Sequence, residues 1–282
     1  FGEFQENFEH FEPYLNAALK RFPILETAGI RKFFSGPESF TPDTNTLLGE
    51  VPEVKNFFVC CGLNSIGIGS GGGVGKVTAE WLINGHINED IFNYDIKRFQ
   101  KFHSKLGFIK ERITESLGDL YGMHWPFKQH KTSRNIKILP HHENLKSFGA
   151  CFGVSAGYER PMWFALDGEK AEYQYSYNYQ SWYPSAEYET NNTIKNVGLF
   201  DLTPFSKFEI KSYKAHQELQ KICTANIKNV PGKCVYTHML NPDGGIETDL
   251  TVVCLDNNHF RIISSAATRE RDKFHIRKYL KD

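Results

Sequence analysis

The sequence lacks the features that direct a chain into a membrane or onto a nucleic acid. No apolar run approaches the roughly 20 residues that a membrane-spanning helix needs, and even residues 57–68 are interrupted by asparagine and glycine. There is no excess of one charge, because 33 Lys and Arg balance 33 Asp and Glu. No net field therefore favours phosphate backbones or anionic lipids. We expect a globular protein with neither a membrane nor a nucleic acid as partner.

Metal and redox motifs are also missing. The six cysteines include no CxxC pair, and no carboxylate or cysteine lies at ligand spacing from His141 and His142. We therefore predict no metal site, and unpaired thiols favour an intracellular compartment. The chain opens at Phe1 without a methionine, a signal peptide or a transit peptide. We expect the natural N-terminus to lie upstream.

The pattern of apolar residues and turn formers predicts two domains, for which 282 residues are enough. The first half is predicted to hold a helix over 4–22 that leads into a strand, a buried strand over 56–61, a buried helix over 74–84 and an amphipathic helix over about 96–120. The second half is predicted to hold a helix over 187–196, strands over 207–211, 235–240, 249–255 and 259–264, and a last helix over 268–280. Residues 121–184 are rich in tyrosine and tryptophan, which is typical of a connector over a surface. The predicted organisation is a first domain over 1–122, a connector over 123–184 and a second domain over 185–282.

The glycine-rich segment 62–75 is the most informative part of the first domain. Backbone amides at the start of a helix can bind an anion, and glycines allow a ligand to come close. A GxGxxG spacing at Gly67, Gly69 and Gly72 does not fit a dinucleotide fingerprint, because five residues separate it from the preceding strand. A P-loop is excluded because Val77 stands where Ser or Thr would hold magnesium. A turn that only lets a helix pack closely on a sheet remains the alternative.

Asp249 lies among apolar residues on a predicted strand that follows a hairpin turn at 241–245. A partly buried carboxylate on a strand often holds a polar ligand. The alternative is that Asp249 caps the turn or pairs with an arginine such as Arg269.

Several ordered segments together resemble the family of sarcosine dehydrogenase and dimethylglycine dehydrogenase, which also includes the regulatory subunit of pyruvate dehydrogenase phosphatase. The resemblance covers nearly the whole chain. It rests on residues 36–43, 62–81, 94–99, 157–164, 198–208, 235–245 and 249–252. Residues 264–272 also closely resemble the aminomethyltransferase of the glycine cleavage system.

The resemblance implies an α+β / α/β fold. The C-terminal part of a D-amino-acid-oxidase-like FAD domain would be followed by the start of a folate-binding domain like the glycine-cleavage T-protein. The implied cofactors are FAD and tetrahydrofolate. The residues that the resemblance places against the flavin are Gly62, Leu63, Asn64, Ser65, Ile66 and Gly67. Those that it places against the folate are Asp249, Ile263, Ser264, Ser265 and Ala266.

The implied activity is oxidative demethylation of sarcosine or dimethylglycine. Hydride would pass to the flavin, the one-carbon unit to tetrahydrofolate and the electrons to an electron-transfer flavoprotein. The catalytic residues and the histidine that links the flavin are expected upstream of Phe1. A non-catalytic regulatory subunit on the same fold is the alternative, and the upstream histidine would distinguish the two. Relatives imply the mitochondrial matrix, or the cytoplasm for a bacterial protein.

Overall fold

Residues 2–280 are described by a computed structural model with seven α-helices and eight strands in that range. The helices are α1 (Phe8–Arg21), α2 (Gly67–Asn84), α3 (Leu106–Asp119), α4 (His142–Ser147), α5 (Tyr183–Lys195), α6 (Ala215–Ile222) and α7 (Arg269–Tyr279). The strands are β1 (Leu47–Glu50), β2 (Phe58–Cys61), β3 (Ala150–Ser155), β4 (Tyr158–Phe164), β5 (Ser206–Lys211), β6 (Cys234–Leu240), β7 (Ile246–Asp256) and β8 (His259–Ser264). Within the described range, no helix is both long and apolar enough to span a bilayer.

The antiparallel hairpin β1–β2 and helix α2 form the centre of the first half. Gly49 of β1 has φ +104°, and a β-carbon there would lie 2.5 Å from the ring of Trp81 on α2. Only glycine therefore lets α2 pack this closely on the hairpin. The prediction that the strand is buried on both faces is wrong: Phe58 is half-buried and Cys61 is exposed, since β2 pairs with β1 in a sheet of two strands.

All three helix predictions in the first half need correction. The helix predicted as buried over 74–84 begins earlier, at Gly67, and Trp81 is its one buried residue. Helix α1 begins at Phe8, where the Asn7 side chain accepts a hydrogen bond from the His10 amide at 2.9 Å. The strand predicted after it is absent from the described residues. A 3-10 helix over Pro23–Thr27 takes its place, with proline in its first turn.

The amphipathic helix predicted from residue 96 begins only at Leu106. Two short 3-10 helices, Ile96–Arg98 and Lys101–Ser104, precede it. The Asp95 side chain caps the first of them by accepting from the Lys97 amide at 2.9 Å. This hydrogen bond begins a separate 3-10 helix where the first turn of the longer helix was predicted.

The predicted connector contains regular structure of its own, namely α4 and the antiparallel hairpin β3–β4. Glu159 of β4 is 2% exposed and forms a two-point ion pair with Arg134, at 2.7 and 2.6 Å. The Asn135 amide also donates to this carboxylate at 2.8 Å. The pair fixes the preceding loop against the hairpin.

The second half is a four-stranded antiparallel sheet in the order β5-β8-β7-β6. All four predicted strands are confirmed in position, and alternate residues of β7 and β8 point to opposite faces. One face carries an apolar core, which α6 covers through Leu219 and α7 through Ile276. Helix α6 is absent from the prediction. The other face is open and carries Asp249.

The two halves meet at the C-terminal end of α2. The Lys97 ammonium lies 4.7 Å from the Trp81 ring and 4.8 Å from the ring of Phe274 on α7. Lys278 of α7 donates to the Gly85 carbonyl at 2.8 Å, and His86 pairs with Asp243 of the β6–β7 turn. These contacts join the first half directly to the sheet unit.

Candidate cofactor sites

The first predicted site is the turn from β2 into α2, which holds residues 62–67. Gly62 has φ +63°, and a β-carbon there would lie 2.7 Å from the Thr41 methyl carbon. Asn64 and Ser65 also have positive φ, at 48° and 65°. Three left-handed residues within four positions force the chain to reverse sharply before α2 begins.

Asn64 holds this turn to the neighbouring loop. Its side chain is 2% exposed, and its Oδ1 accepts from the Thr41 amide at 2.8 Å. Its Nδ2 donates to the Gly62 carbonyl, so one amide group bridges the two segments. Thr41 is in turn fixed by its hydroxyl, which donates to the Asn45 carbonyl at 2.9 Å.

The start of α2 is open to a ligand. No side chain caps its N-terminus, so the amides of the first turn are left for an acceptor. A β-carbon on Gly69, Gly71, Gly72, Gly73 or Gly75 would meet nothing within 4 Å. Uncapped amides and an open glycine surface fit a flat aromatic group such as the flavin of FAD, because the positive end of the helix dipole stabilises the negative charge of the reduced ring.

The surroundings of Asp249 differ from those predicted. The carboxylate is exposed, whereas the flanking Thr248 and Leu250 point into the core. It pairs with neither a turn amide nor Arg269. It accepts a hydrogen bond at 3.2 Å from the hydroxyl of Tyr236 on β6, which raises the pKa of Tyr236.

The sequence analysis did not identify Tyr236 as a site residue. The alternation along β6 could have identified it, because it places residues 236 and 238 on one face of the sheet. His238 lies directly opposite Asp249 in the strand register, and the rings of Tyr236 and His238 are 5.3 Å apart. An aromatic ring, an imidazole and a carboxylate therefore share the open face of the sheet.

The other four predicted folate residues lie where β8 ends and α7 begins. Ile263 is half-buried, whereas Ser264 is 2% exposed on the core side. The Ser265 carbonyl accepts from the Ser206 hydroxyl at 3.0 Å, and its own hydroxyl accepts from the Ala267 amide at 3.2 Å. Successive residues of β8 thus face opposite sides, and Ser264 could not touch a ligand on the open face with its side chain.

A cavity of about 380 Å³ lies beside the loop that Asn64 holds. Thr41, Pro42, Ile96 and His103 contribute to a mostly apolar wall. Burial against neighbouring aromatic rings lowers the pKa of His103 to about 4, so its imidazole is neutral at pH 7. Within residues 2–280, no three His, Cys, Asp or Glu side chains are grouped so that they could hold a metal ion.

Three family models cover most of the chain. "FAD dependent oxidoreductase" matches residues 1–81, "FAD dependent oxidoreductase central domain" matches 84–138, and "GCVT N-terminal domain" matches 141–282. The last accounts for half of the chain. The first two models thus indicate FAD as a cofactor, and the third indicates a folate.

Three curated relatives align along nearly the whole chain. A 4-methylaminobutanoate oxidase (formaldehyde-forming) of Paenarthrobacter nicotinovorans is 38% identical over 99% of this chain and 34% of its own. Human mitochondrial sarcosine dehydrogenase is 35% identical over 92% of this chain and 31% of its own. The mitochondrial pyruvate dehydrogenase phosphatase regulatory subunit of Mus musculus is 33% identical over 98% of this chain and 32% of its own. The chain thus spans about a third of the length of the relatives that it matches.

Proposed function

We infer that this chain, which belongs to the family of sarcosine and dimethylglycine dehydrogenases, serves a flavin-dependent oxidation of the N-methyl group of a small amino acid. The one-carbon unit would pass to tetrahydrofolate held by the second domain. The observation that carries the proposal is the uncapped, glycine-rich start of α2, held in place by Asn64. Residues 62–67 and the amides that follow them would lie against the pyrimidine end of the flavin.

The bound flavin would supply the hydride acceptor for the N-methyl carbon of the substrate. The chain's own part is electrostatic: the first-turn amides of α2 would stabilise negative charge that builds up on the ring. Asn64 would fix the direction of those amides, because its side chain bonds both the Thr41 amide and the Gly62 carbonyl and so restrains the turn. Amides that are fixed before the reaction need not reorient as charge develops, so their stabilisation carries no reorganisation energy.

The second domain would capture the product before it escapes. Asp249 would hold a polar N–H group of the folate, and the hydroxyl of Tyr236 would orient that carboxylate. Residues 263–266 would form the neighbouring edge of the same site. Holding both steps in one protein favours transfer over loss of the iminium to water.

The substrate would carry a carboxylate and a secondary or tertiary N-methyl amine, as sarcosine, dimethylglycine and 4-methylaminobutanoate all do. Electrons would leave to an electron-transfer flavoprotein or to oxygen, and the relatives include both a dehydrogenase and an oxidase by name. The mitochondrial matrix is the proposed location for a eukaryotic protein, and the cytoplasm for a bacterial one.

A regulatory subunit without catalysis is the second candidate. The 33% identity to the mouse phosphatase regulatory subunit favours it. The enzyme would use residues 62–67 to hold the flavin, and the regulatory subunit would need the same residues to keep the fold. These residues therefore do not distinguish the two candidates.

The test is the visible spectrum of the intact protein, first native and then after denaturation and precipitation. A yellow flavin that bleaches anaerobically with one of the three amines supports the enzyme and identifies its substrate. A colourless protein, or a flavin that none of the amines reduces, supports the regulatory role. Substitution Asn64→Asp tests the loop, and Asn84→Asp at the exposed end of α2 is its matched control.

A further inference from the structure

His86 joins the end of α2 to the turn between β6 and β7. It directly follows Gly85, which ends α2 in the left-handed conformation at φ +73°. Its Nδ1 lies 3.0 Å from the carbonyl oxygen of Asn84, and its Nε2 lies 2.5 Å from Oδ2 of Asp243. The imidazole therefore bridges the two halves of the chain through both of its nitrogens.

Both partners of this imidazole can only accept a hydrogen bond. A backbone carbonyl has no proton to donate, and the hydrogen bond from His86 lowers the pKa of Asp243, which keeps that group a carboxylate. A neutral imidazole has a single N–H, so one of its nitrogens would face an oxygen with lone pair against lone pair. Only the imidazolium, which has two N–H groups, satisfies both contacts. His86 therefore carries a positive charge in this conformation.

The surroundings of His86 favour that charge. It lies at the C-terminal end of α2, where the helix dipole stabilises a cation. It also lines a cavity of about 90 Å³ between the two halves, in which carboxylates outnumber permanent cations. The carboxylates of this lining are Glu89, Asp90, Asp95 and Glu247, and the permanent cations are Lys97, Arg271 and Lys278. The other titratable groups of the lining are neutral at pH 7, because burial lowers the pKa of His275 and raises that of Tyr279.

The permanent cations of the cavity are engaged with other groups. Lys97 pairs with Asp95 at 3.0 Å, and Arg271 pairs with Glu247 at 2.7 Å. Lys278 donates to the Gly85 carbonyl at 2.8 Å. Among the described residues, His86 is the one cationic partner of Asp243. No other charge is in place to hold the Asp243 carboxylate once His86 loses a proton.

The turn that carries Asp243 is itself fixed. The Asn241 side chain accepts from the amides of Asp243 and Gly245, at 3.1 and 2.7 Å. The same β6–β7 hairpin carries Tyr236 and Asp249 of the proposed folate site. Helix α2 begins at the proposed flavin turn and, with 18 residues, extends about 27 Å to its other end. One imidazole thus connects the two elements that carry the proposed cofactor sites.

We propose that His86 is a pH-sensitive latch between the two halves of the chain, formed by its imidazolium with the Asn84 carbonyl and the Asp243 carboxylate. The latch is closed while both ring nitrogens carry protons, and it opens as the pH rises and one proton is lost. Opening releases the β6–β7 turn from the end of α2. The latch itself follows from these contacts, and only the cofactor sites that it would connect rest on the proposed function.

The test is amide hydrogen exchange of the intact protein, followed by mass spectrometry from about pH 5.5 to about pH 9, the range in which histidine side chains lose a proton. Each rate is divided by the rate of an unfolded peptide at the same pH, which removes the intrinsic effect of pH on exchange. Protection at 241–245 should fall about three- to tenfold as the pH rises, which is the effect of one net hydrogen bond. Protection at 259–264, on β8, should stay constant.

Two variants separate the latch from general effects of pH. His86→Gln has no proton to lose in this range, so its protection at 241–245 should not depend on pH. Asp243→Asn can donate to a neutral Nε2 and accept from a protonated one, so it should abolish the pH dependence while the histidine remains. His259→Gln is the matched control. Among the described residues, His259 is bonded only through Nε2, to Glu209 at 2.9 Å, and therefore needs only one N–H.

The pH dependence of the wild type should persist in His259→Gln and disappear in both His86→Gln and Asp243→Asn. Constant protection at 241–245 in the wild type would overturn the latch, as would a pH dependence that survives in His86→Gln. The proposed function fails separately, if the wild-type protein binds neither flavin nor folate.

Discussion

Arg98 and Asp43 form a two-point ion pair, with Nε to Oδ2 at 2.6 Å and Nη2 to Oδ1 at 3.0 Å. The remaining donors of the same guanidinium reach the carbonyls of Asn45, Thr46 and Tyr94 at 2.9 to 3.2 Å. One side chain thus fixes the whole of residues 43–46. That loop begins at Thr41, whose amide donates to the Asn64 side chain. The ion pair therefore stabilises the loop to which the proposed flavin turn is hydrogen-bonded.

Arg98→Lys should therefore destabilise the protein by about 2–4 kcal/mol, because an ammonium cannot reproduce a planar, two-point contact and leaves buried carbonyls unpaired. Urea unfolding followed by circular dichroism would measure this. The exposed Arg277→Lys should change the free energy of unfolding by less than about 0.5 kcal/mol. Equal effects at the two positions would contradict the role of Arg98.

Asn64→Asp should lower the amount of bound flavin more than it lowers the fraction of folded protein. The substitution places a carboxylate oxygen against the Gly62 carbonyl, where the amide now donates, and adds negative charge beside the start of α2. The ratio of absorbance at the flavin band to that of the protein, after gel filtration, measures the loss. We expect less than half of the wild-type ratio, with Asn84→Asp unchanged. Full flavin occupancy in Asn64→Asp would argue against the proposed loop.

Lys97 and Asp95 form a buried ion pair at 3.0 Å, with side chains only 4% and 8% exposed. Lys97→Met should cost about 3–5 kcal/mol, because it leaves the carboxylate buried and unpaired. Adding Asp95→Asn should recover much of that loss, which a double-mutant cycle on unfolding free energies would measure. The exposed pair of Lys76 and Glu80 is the comparison, and Lys76→Met should cost less than about 1 kcal/mol. Strict additivity of the two changes at 95 and 97 would refute the coupling.

Acid stability should depend on Glu115. Burial alone would raise the pKa of Glu115, but hydrogen bonds from the Thr132 hydroxyl and from the Lys131 and Thr132 amides outweigh it and lower the pKa to about 2. The folded pKa lies below the unfolded value, so the stabilisation is present above about pH 4.5 and is lost as the pH falls towards 2. Glu115→Gln should flatten the fall in melting temperature over that window. The exposed Glu187→Gln should leave the curve as in the wild type.

Much of the second unit could be predicted from its sequence, because strands β5 to β8 alternate apolar and polar residues with a period of two. The same rule failed for the burial of β2, because the apolar run over 56–61 was expected to be buried on both faces but lies in a two-stranded hairpin. It failed for residues 96–105 as well, where the Asp95 side chain accepts from the Lys97 amide and the Gln100 amide donates to the His103 imidazole, so two short 3-10 helices form. Such local hydrogen bonds depend on rotamers that periodicity does not contain.

The sequence by itself singled out two segments as candidate sites, the glycine-rich start of α2 and the strand with Asp249. Only the tertiary structure decided what those motifs touch. It placed Thr41 against Asn64 over 23 positions of sequence, and Tyr236 against Asp249 across two strands. It also turned Ser264 towards the core and away from the open face. Contacts between distant segments follow from strand register and chain reversal, and neither is encoded in the spacing of residues along one segment.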